Sequence, residues 1–494
     1  NTEPTIPKIL FENISCYNIM LSSSGSYIEG IFQSSFIVVL SAMAETTFNS
    51  SNFNSISILP SGSLITISNP VVSFNNVTLD SVSYGNIHGA LHLTLTSLSV
   101  VDSVFKFNTG VGSDGAGLFK LTNPSPTDAA LNVLMQNCTF QNNTAPYGTA
   151  MFIKDSPVEL LMNNCDITGN RVKGAGGIFY LVNVSSSNLT VMNSSFTQNV
   201  EQIVNMPSLV MFSFENMGAG VSLLVQVSNI SVTNSAKGSF ISAIGQQKLT
   251  LRAYNDRFYS QVLDTVQIFF NFLSADNIEA DFDNLEVSNL SLGEVGVFVL
   301  NCNTAGKSTY QWSLQITNSE FNSLNLSEGL IVISADGYKV EALNNLSILL
   351  QNSTFSNITW SNSPASVSSG IAGILKTTTP LVGRYQATQS TGTNDFAILI
   401  ENCTFSLLKG ISGLIFGGAE SLFDSIIWIN NSSFDSISSS GPGAIFNPSD
   451  SALGANYRYL GVFSSSLSNS ISFKVANSRF SNISSQAGNL MHWN

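Results

Sequence analysis

Histidine, cysteine, acidic residues and asparagine are the side chains through which this chain could do chemistry, and histidine is scarce. The 494 residues include three histidines, of which His88 and His92 lie close together beside a Gly-Ala-Leu segment. Nucleophilic catalysis needs a base held beside the nucleophile, and no Gly-x-Ser-x-Gly element accompanies these histidines. We therefore interpret them as surface or strand-edge residues, and we predict no catalytic residue and no enzyme activity.

Acidic side chains cluster most densely between Asp276 and Glu286. Within this segment Asp281 and Asp283 share one face of a predicted strand, because side chains alternate along a strand. A pair of carboxylates can bind a cation, but a solvated strand face explains the pair more simply, and we predict no metal and no cofactor. A glycosidase would need two carboxylates roughly 5 to 10 Å apart in a cleft, and no such cleft is evident from the sequence.

Asparagines in Asn-x-Ser/Thr triplets are potential acceptors of N-linked glycan. Eight of them fall on a repeated asparagine, described below, whose side chain we expect to be stacked and withheld from modification: Asn13, Asn76, Asn137, Asn193, Asn229, Asn352, Asn402 and Asn431. Nine others fall in predicted loops and are the predicted glycosylation sites: Asn49, Asn142, Asn183, Asn188, Asn289, Asn325, Asn345, Asn357 and Asn482.

Two of the five cysteines, Cys138 and Cys165, occupy the same position in adjacent copies of the repeat. Stacking would place their Cα atoms about 5 Å apart, which is within the range of a disulfide. Both follow the repeated asparagine directly and are expected to point inward. The sequence therefore leaves two alternatives open, a disulfide or two small buried thiols that pack against each other.

The elements that position these residues are copies of one repeat. Segments 133–140, 160–167, 348–355 and 398–405 each alternate apolar and polar residues up to an asparagine, after which the alternation changes parity. A continuous strand cannot change parity, but a one-residue corner can, and asparagine tolerates the left-handed backbone that such a corner needs. Further copies centre on Asn13, Asn76, Asp102, Asn193, Asn229, Asn255, Asn284, Asn318, Asn431 and Asn477, and a degraded copy is expected near Ala42.

A third short apolar run follows in many copies and opens with glycine, as at Gly117, Gly177, Gly296, Gly329, Gly413 and Gly443. Three short strands per coil, separated by turn residues, predict an all-β parallel β-helix of about fifteen coils. At about 4.8 Å per coil this predicts a rod roughly 70 Å long. The phenylalanines that follow the corner are predicted to stack as core: Phe105, Phe140, Phe196, Phe258, Phe321, Phe355, Phe405, Phe434 and Phe480.

Several short elements carry a resemblance to known proteins: Gly176-Gly177-Ile178, Gly443-Ala444-Ile445, Phe140-x-x-Asn143 and Phe196-x-x-Asn199. With the repeated asparagine, they resemble the pectin-lyase-like right-handed β-helix superfamily, in which an asparagine ladder marks the tight turn between the second and third sheets. The elements look most like polymorphic outer-membrane-protein repeats. The resemblance implies a right-handed parallel β-helix and, more loosely, a cell-surface role.

The amino-acid composition also indicates an extracellular or cell-surface protein. Charged residues make up 10% of the chain, against about 25% in a typical soluble domain, so Ser, Thr and Asn must cover the surface, as suits an extracellular glycoprotein. The net charge of −13, with 18 Lys and Arg, argues against nucleic-acid binding. No apolar stretch reaches the ~20 residues of a membrane span, and no signal peptide opens the chain.

We therefore expect a single β-helix domain over residues 1–494, with loop insertions near 361–395 and 447–468. The expected function is a secreted or surface-displayed structural glycoprotein, a rigid shaft or a filament subunit. Coils without caps are expected to continue into a longer chain or to associate head to tail. Two alternatives are a polysaccharide-binding or polysaccharide-degrading β-helix and a cell-surface adhesin. Arg171-Val172-Lys173-Gly174 is similar to one polygalacturonase element, but its companion elements are absent.

Overall fold

A computed structural model shows an all-β chain with parallel strand pairing. It describes residues 7–22, 37–40, 44–59, 62–85, 89–111, 117–124, 129–173, 176–184, 186–201, 209–215, 222–233, 238–244, 248–259, 270–273, 277–292, 297–302, 311–326, 330–335, 345–360, 372–374, 395–411, 415–417, 425–439, 443–447, 472–484 and 489–491. Most of the two predicted insertions, 361–395 and 447–468, therefore lies outside the described residues. Two compact units divide the chain, residues 1–243 and residues 244–494, and the prediction of a single domain stays a prediction.

The described residues of unit 1 form four parallel sheets, named A to D in the order in which each coil visits them. Sheet A holds β1 (Lys8–Glu12), β5 (Glu45–Asn49), β9 (Val71–Asn75), β13 (Ser97–Val101), β17 (Leu131–Gln136), β21 (Val158–Asn163), β25 (Ser187–Met192) and β29 (Ser222–Ser228). Sheet B holds β2 (Ser15–Tyr17), β6 (Asn52–Asn54), β10 (Thr78–Asp80), β14 (Val104–Lys106), β18 (Thr139–Gln141), β22 (Asp166–Thr168), β26 (Ser195–Thr197) and β30 (Ser231–Thr233).

The other two sheets of unit 1 follow sheet B along each coil. Sheet C is short and holds β3 (Met20–Ser22), β7 (Ser57–Leu59), β11 (Ser83–Tyr84), β15 (Thr109–Gly110), β19 (Thr144–Ala145), β23 (Arg171–Val172) and β27 (Val200–Glu201). Sheet D holds β4 (Ile37–Leu40), β8 (Ile65–Ser68), β12 (Leu91–Thr94), β16 (Phe119–Thr122), β20 (Met151–Lys154), β24 (Gly177–Val182), β28 (Leu209–Glu215) and β31 (Gly238–Ile244).

Unit 2 contains three parallel sheets among its described residues, named E, F and G. Sheet E holds β32 (Lys248–Tyr254), β35 (Asn277–Asp283), β38 (Gln311–Thr317), β41 (Asn345–Gln351), β44 (Asp395–Glu401), β47 (Ser425–Asn430) and β50 (Ser472–Ala476). Sheet F holds β33 (Arg257–Tyr259), β36 (Glu286–Leu292), β39 (Glu320–Leu326), β42 (Thr354–Trp360), β45 (Thr404–Ile411), β48 (Ser433–Ser439) and β51 (Arg479–Ser481). Sheet G holds β34 (Phe270–Leu273), β37 (Phe298–Cys302), β40 (Ile331–Ala335), β43 (Ala372–Ile374), β46 (Ile415–Gly417), β49 (Gly443–Asn447) and β52 (Asn489–Met491).

A single left-handed residue separates sheet A from sheet B, and likewise sheet E from sheet F; we call this the first corner. The backbone angle φ there lies between +46° and +58°, so the predicted corner is confirmed at Asp102 and at each predicted asparagine. Ala42, near which a degraded copy was expected, lies outside the described residues. That coil turns at Ser50, where φ is +50°, because Phe48 and Phe53 are the inward residues on either side.

A second corner, which the sequence did not predict, follows five residues after the first, as Asn142 follows Asn137. It has φ between +52° and +65° at Asn18, Ser55, Ser81, Phe107, Asn142, Gly169, Gln198, Asn289, Ser323, Asn357, Leu407, Ser436 and Asn482. In unit 1 this corner separates sheet C from sheet B. Most coils of unit 1 therefore have four strands rather than the predicted three.

Stacked aromatic side chains form much of the core. Phe321, Phe355, Phe405 and Phe434 are completely buried, and successive rings lie parallel with centroids 4.8 to 5.0 Å apart. Phe105 and Phe140 stack in the same way in unit 1, at 5.0 Å. Offset stacking stabilises beyond the burial of area alone. The predicted phenylalanine ladder is therefore core and not a surface track, although its last member, Phe480, is only half-buried.

Asparagines line the inner side of the second corner in unit 1. Asn108, Asn143, Asn170 and Asn199 are at most 1% exposed. The Nδ2 of each of the first three donates to the Oδ1 of the asparagine one coil further on, over 2.9 to 3.1 Å. This is a buried asparagine ladder, and it is built from the last residue of three Phe-x-x-Asn elements and of Ile167-x-x-Asn170 rather than from the first corner.

Candidate functional site

The first-corner asparagines form a ladder on the outside of the coils. Asn164 Nδ2 donates to Asn137 Oδ1 over 2.8 Å, and Asn137 Nδ2 donates to Asp102 Oδ1 over 2.8 Å. In unit 2 the same bonds join Asn284 to Asn255 and Asn431 to Asn402. All of these side chains are exposed, because a left-handed residue directs its side chain away from the core here. All eight acceptors at this corner are exposed to solvent, and seven of them donate a side-chain hydrogen bond: Asn76, Asn137, Asn193, Asn229, Asn352, Asn402 and Asn431.

Four predicted acceptors, Asn142, Asn289, Asn357 and Asn482, occupy the second corner rather than loops. Each is exposed, with φ between +52° and +55°. Asn357 Nδ2 donates to Ser323 Oγ over 3.0 Å. These four acceptors therefore share one repeated corner position. From the sequence they had been treated as unrelated sites in loops.

The remaining predicted acceptors are spread over other positions. Asn183 is exposed at a left-handed position after β24, and its Nδ2 donates to Asp155 Oδ1 over 2.9 Å. Asn49 is half-buried at the end of β5 and its Nδ2 donates to Glu12 Oε1 over 3.3 Å. Asn188 and Asn325 are exposed within β25 and β39, and Asn345 begins β41. Glycosylation at all nine positions stays a prediction.

Small residues occupy the buried position directly after the first corner and form a second hydrogen-bonded row. The hydroxyl of Ser319 accepts from the backbone N–H of Leu285 over 3.0 Å and donates to the carbonyl of Thr317 over 2.6 Å. Ser194 accepts from the N–H of Cys165 in the same way, over 3.1 Å. The sequence identified this position from its parity, but not the bonds that make serine suitable there.

Cys138 and Cys165 share this position in adjacent coils, as predicted. Both are buried free thiols in the structure, and the backbone N–H of Asp166 donates to the carbonyl of Cys138 over 2.9 Å, which fixes the register. The thiol hydrogen bond to Cys138, together with burial, raises the pKa of Cys165. The two thiols lie at the floor of an open groove of about 630 Å³ that follows the outer asparagine ladder past Asn137, Asn164 and Asn193.

An aromatic and basic patch lies on the outer face of sheet D. Tyr180 stacks near Tyr147 and Phe152, with ring centroids 6.0 and 5.6 Å away, and its hydroxyl donates to Glu215 Oε2 over 2.8 Å. Burial raises the pKa of that hydroxyl well above its usual range, with the hydrogen bond to Glu215 adding to the effect. Lys120 pairs with Phe152 in the adjacent strands β16 and β20.

Positive charge accompanies these rings. Partial burial, and the nearby charge of Lys154, lower the pKa of Lys120. His92 is half-buried and lies next to Lys120 in the same outward row, whereas His88 lies outside the described residues. Arg171 is exposed on β23. The sequence had given His92 as a surface or strand-edge residue and Arg171 as part of an element similar to a polygalacturonase motif. Strand register was the information missing to place His92 beside Lys120.

The acidic cluster lies on the outer face of sheet E, as predicted from the inward position of Phe282, which is fully buried. Partial burial and the neighbouring Asp283 raise the pKa of Asp281, whose Oδ2 accepts from the Tyr254 hydroxyl over 3.5 Å. Arg252 Nη2 lies 3.9 Å from Glu279 Oε1. Among the described residues, no group of three or more His, Cys, Asp or Glu is placed to hold a metal ion.

Within the described part of the chain, no helix has the length and apolarity to cross a membrane. No protein-family model, curated protein or solved structure matches the chain. The functional interpretation therefore rests on the stacked coils, on their corners and on the rows of side chains at their surface.

Proposed function

We propose that this chain is part of an extracellular or cell-surface structural glycoprotein, in which stacked coils act as a rigid shaft or as the subunit of a head-to-tail filament. The proposal rests on the way in which the coils stack. The strands of each coil form parallel backbone hydrogen bonds with the strands of the next coil. A strand edge that has no partner pairs readily with a further strand. A contact of this kind does not close on itself and leads to fibres.

The outermost described coil of each unit supports this proposal. Strands β1 and β50 each pair with one neighbour, β5 and β47 respectively. Val475 in β50 is 38% exposed, whereas its partner Ile429 in β47 is completely buried. Phe11 in β1 stacks on the buried Phe48 at 4.6 Å but is itself only half-buried. A further coil, from the same polypeptide or from a second copy, would cover these side chains.

The surface chemistry also suits this role. The outer rows at the corners are rich in asparagine and serine, and the described ion pairs are few, with none of them fully buried. Exposed Asn-x-Ser/Thr acceptors at the second corner fit N-linked glycan on a secreted protein. We further propose that the coil is right-handed and of the pectin-lyase-like kind, with polymorphic outer-membrane-type repeats, on the basis of its asparagine ladders and Phe-x-x-Asn elements.

Association through edge strands is testable with the secreted protein. Electron microscopy and sedimentation should show unbranched polymers whose length grows with protein concentration. Val475→Asp places a charge in the inner row of β50 and should abolish growth through that edge. Lys474→Ser, an exposed change on the same strand, should leave growth unchanged. A discrete monomer at every concentration, or equal behaviour of the two variants, would count against a filament of this chain alone.

The patch on sheet D favours a second candidate function, the binding of an anionic carbohydrate by a surface adhesin. Aromatic rings can pack against the C–H face of a sugar, and Lys120 and Lys154 would pair with its carboxylate or sulfate groups. Titration with a uronic-acid oligomer, followed by calorimetry, tests it. Tyr147→Ala should reduce the affinity at least fivefold, whereas Thr122→Ala, on the same outer face, should not. No heat of binding with either uronate or sulfated oligomers would remove this candidate.

A further inference from the structure

Phe107 is an unusual residue for its backbone conformation. Nearly all second corners carry Asn, Ser, Gln or Gly, which tolerate left-handed backbone or contribute little bulk. Phe107 has φ of +55° there and is 50% exposed. A bulky side chain in this region is strained, and a half-exposed ring recovers little of that strain through core packing. The exposed ring of Phe107 is therefore available to pack against a group that is not part of the coil.

The next residue along the second-corner row is Asn142. Lys106 pairs with Gln141 in strands β14 and β18, and the N–H of Phe107 donates to the carbonyl of Gln141 over 2.9 Å. In the core of the same two coils, the ring centroids of Phe105 and Phe140 are 5.0 Å apart. Neighbouring residues of the second-corner row are therefore separated by about one coil spacing. Asn142 is exposed and begins the acceptor triplet Asn142-Asn143-Thr144. An apolar ring thus lies one coil away from a glycan acceptor.

The orientation of the Asn142 amide favours this neighbour. On the other side of Asn142 the row continues with Gly169, where an added Cβ would collide with Asn142 Oδ1. The amide oxygen therefore lies on the Gly169 side. The nitrogen is the other branch of the same planar group, so it faces away from Gly169, and Phe107 lies on that side of the row.

We propose that an N-linked glycan on Asn142 packs the apolar face of its first N-acetylglucosamine against the ring of Phe107. This rests on the proposed function, because the transfer requires the secretory pathway and its lipid-pyrophosphate oligosaccharide. In that transfer Asn142 Nδ2 loses a proton and forms a bond to C1 of the sugar, while the lipid pyrophosphate leaves. The packing removes apolar area of both partners from water, which explains a strained aromatic residue at an exposed corner.

Leu407 provides a matched control within the same chain. It also occupies a second corner, with φ of +55° and 49% exposure, and it lies one coil beyond the acceptor Asn357. The nitrogen of Asn357 is directed the other way, toward Ser323, to which it donates over 3.0 Å. A glycan on Asn357 would therefore leave on the side opposite Leu407, and Leu407 is expected to show little coupling to it.

The experiment is a double-mutant cycle on protein secreted from an N-glycosylating host. Glycopeptide mapping first measures occupancy at Asn142, and unfolding in urea then compares Phe107→Ser, Asn142→Gln and the double variant. With the glycan present, Phe107→Ser should raise the equilibrium constant for unfolding roughly threefold to tenfold, because the packing of the sugar on the ring is lost. Without the glycan, the same substitution should be neutral or stabilising, because the strain of the bulky corner is relieved. The Leu407→Ser and Asn357→Gln cycle should show no coupling.

Two outcomes would overturn the proposal and leave the proposed function intact. One is an unoccupied Asn142 in protein that carries glycan at Asn289, Asn357 or Asn482; the other is an occupied Asn142 without coupling to Phe107. Absence of glycan from every acceptor would instead contradict the glycoprotein assignment itself. If Phe107→Ser changed the sedimentation of glycan-free protein, the occupant of the ring would be a second copy of the chain, which also overturns the proposal.

Discussion

The inner side of the second corner differs between the two units although the corner itself is the same. In unit 1 the residue after the corner is a buried asparagine in four coils, as at Asn143 and Asn170. In unit 2 the same position is aliphatic and buried: Leu290, Leu324, Ile358, Leu408 and Ile437. One backbone geometry therefore accepts either an amide row or an aliphatic row.

The amide row works because its polar groups are mutually paired. Asn143 Oδ1 accepts from both the backbone N–H and the Nδ2 of Asn108, at 3.1 and 2.9 Å. Its Nδ2 donates to the carbonyl of Phe105 and to Asn170 Oδ1, at 2.8 and 3.0 Å. Buried amides are costly unless all their groups are bonded. Unit 1 also contains a junction of the two rows, where the N–H of the buried Val82 donates to Asn108 Oδ1 over 3.0 Å. The comparison therefore teaches that an amide is tolerated in this row where its polar groups are all bonded.

The largest effect is expected when an amide is placed in the aliphatic row. Leu324→Asn removes a buried side chain that Leu290 and Ile358 flank in adjacent coils, and it adds an amide without a matching neighbour. The loss of apolar burial and the unpaired amide together should lower the free energy of unfolding by about 4 kcal/mol. Unfolding in urea measures it. The double variant Leu324→Asn with Ile358→Asn should cost less than twice as much, and additive costs would contradict the pairing argument.

The reverse substitution should cost slightly less. Asn143→Leu keeps an apolar volume in the core but deprives Asn108 of the acceptor for its backbone N–H and interrupts the ladder toward Asn170. We expect a loss of about 3 kcal/mol, since each buried group without a partner costs ~1–3 kcal/mol. Asn164→Ser, in the exposed ladder, should change stability by less than about 1 kcal/mol. Equal losses of stability in Asn143→Leu and Asn164→Ser would show that the buried ladder is no more important for stability than the exposed one.

A smaller and opposite effect is expected at Tyr84, in sheet C beside the amide ladder. Its ring is buried and packs over Gly110, and its hydroxyl has no hydrogen-bond partner among the described residues. Burial also raises the pKa of this hydroxyl. Tyr84→Phe should therefore stabilise the protein by about 1 kcal/mol, because an unpaired polar group leaves the core. Calorimetry of the two proteins measures the change, and a loss of stability would mean that the hydroxyl is bonded after all.

The sequence predicted the first corner well and the second not at all, for a physical reason. A parity change across Asn137, from inward Met135 to inward Cys138 and Phe140, is visible because apolar residues mark both sides. Beyond Phe140 the parity changes again at Asn142, so Asn143 rather than Asn142 points inward. Neither residue is apolar in this coil, and the pattern cannot tell a buried amide from an exposed one. In unit 2 the signal is present in the sequence, because the inward residues Phe321 and Leu324 are three positions apart.

The same ambiguity affected the candidate sites. Asn142 and Asn357 were identified as acceptors, but their shared corner depends on a backbone angle and not on residue type, since Phe107 and Leu407 occupy it as well. The patch around Tyr180 was missed because it forms by register between strands that are far apart in sequence. The inward cysteine pair was predicted because both residues follow a recognisable corner.

The smallest effect concerns the outer side of the second corner in unit 2, where polar bonds lie in solvent instead of in the core. The Asp435 carboxylate accepts from Ser481 Oγ, Ser436 Oγ and Asn482 Nδ2, at 2.6, 3.0 and 3.0 Å. These bonds, that from Ser481 foremost, hold the pKa of Asp435 below its usual value.

A carboxyl whose pKa is lowered by folding stabilises the protein above its unfolded pKa, and this contribution is lost as the pH falls through the folded pKa. The loss is therefore expected below about pH 4. Asp435→Asn should unfold at a slightly lower urea concentration than the wild type at pH 6, and the difference should shrink toward pH 3. A difference that does not change with pH would show that the charge of Asp435 contributes nothing. No difference at any pH would show that the exposed bonds at this corner, unlike the buried amide ladder, add nothing to stability.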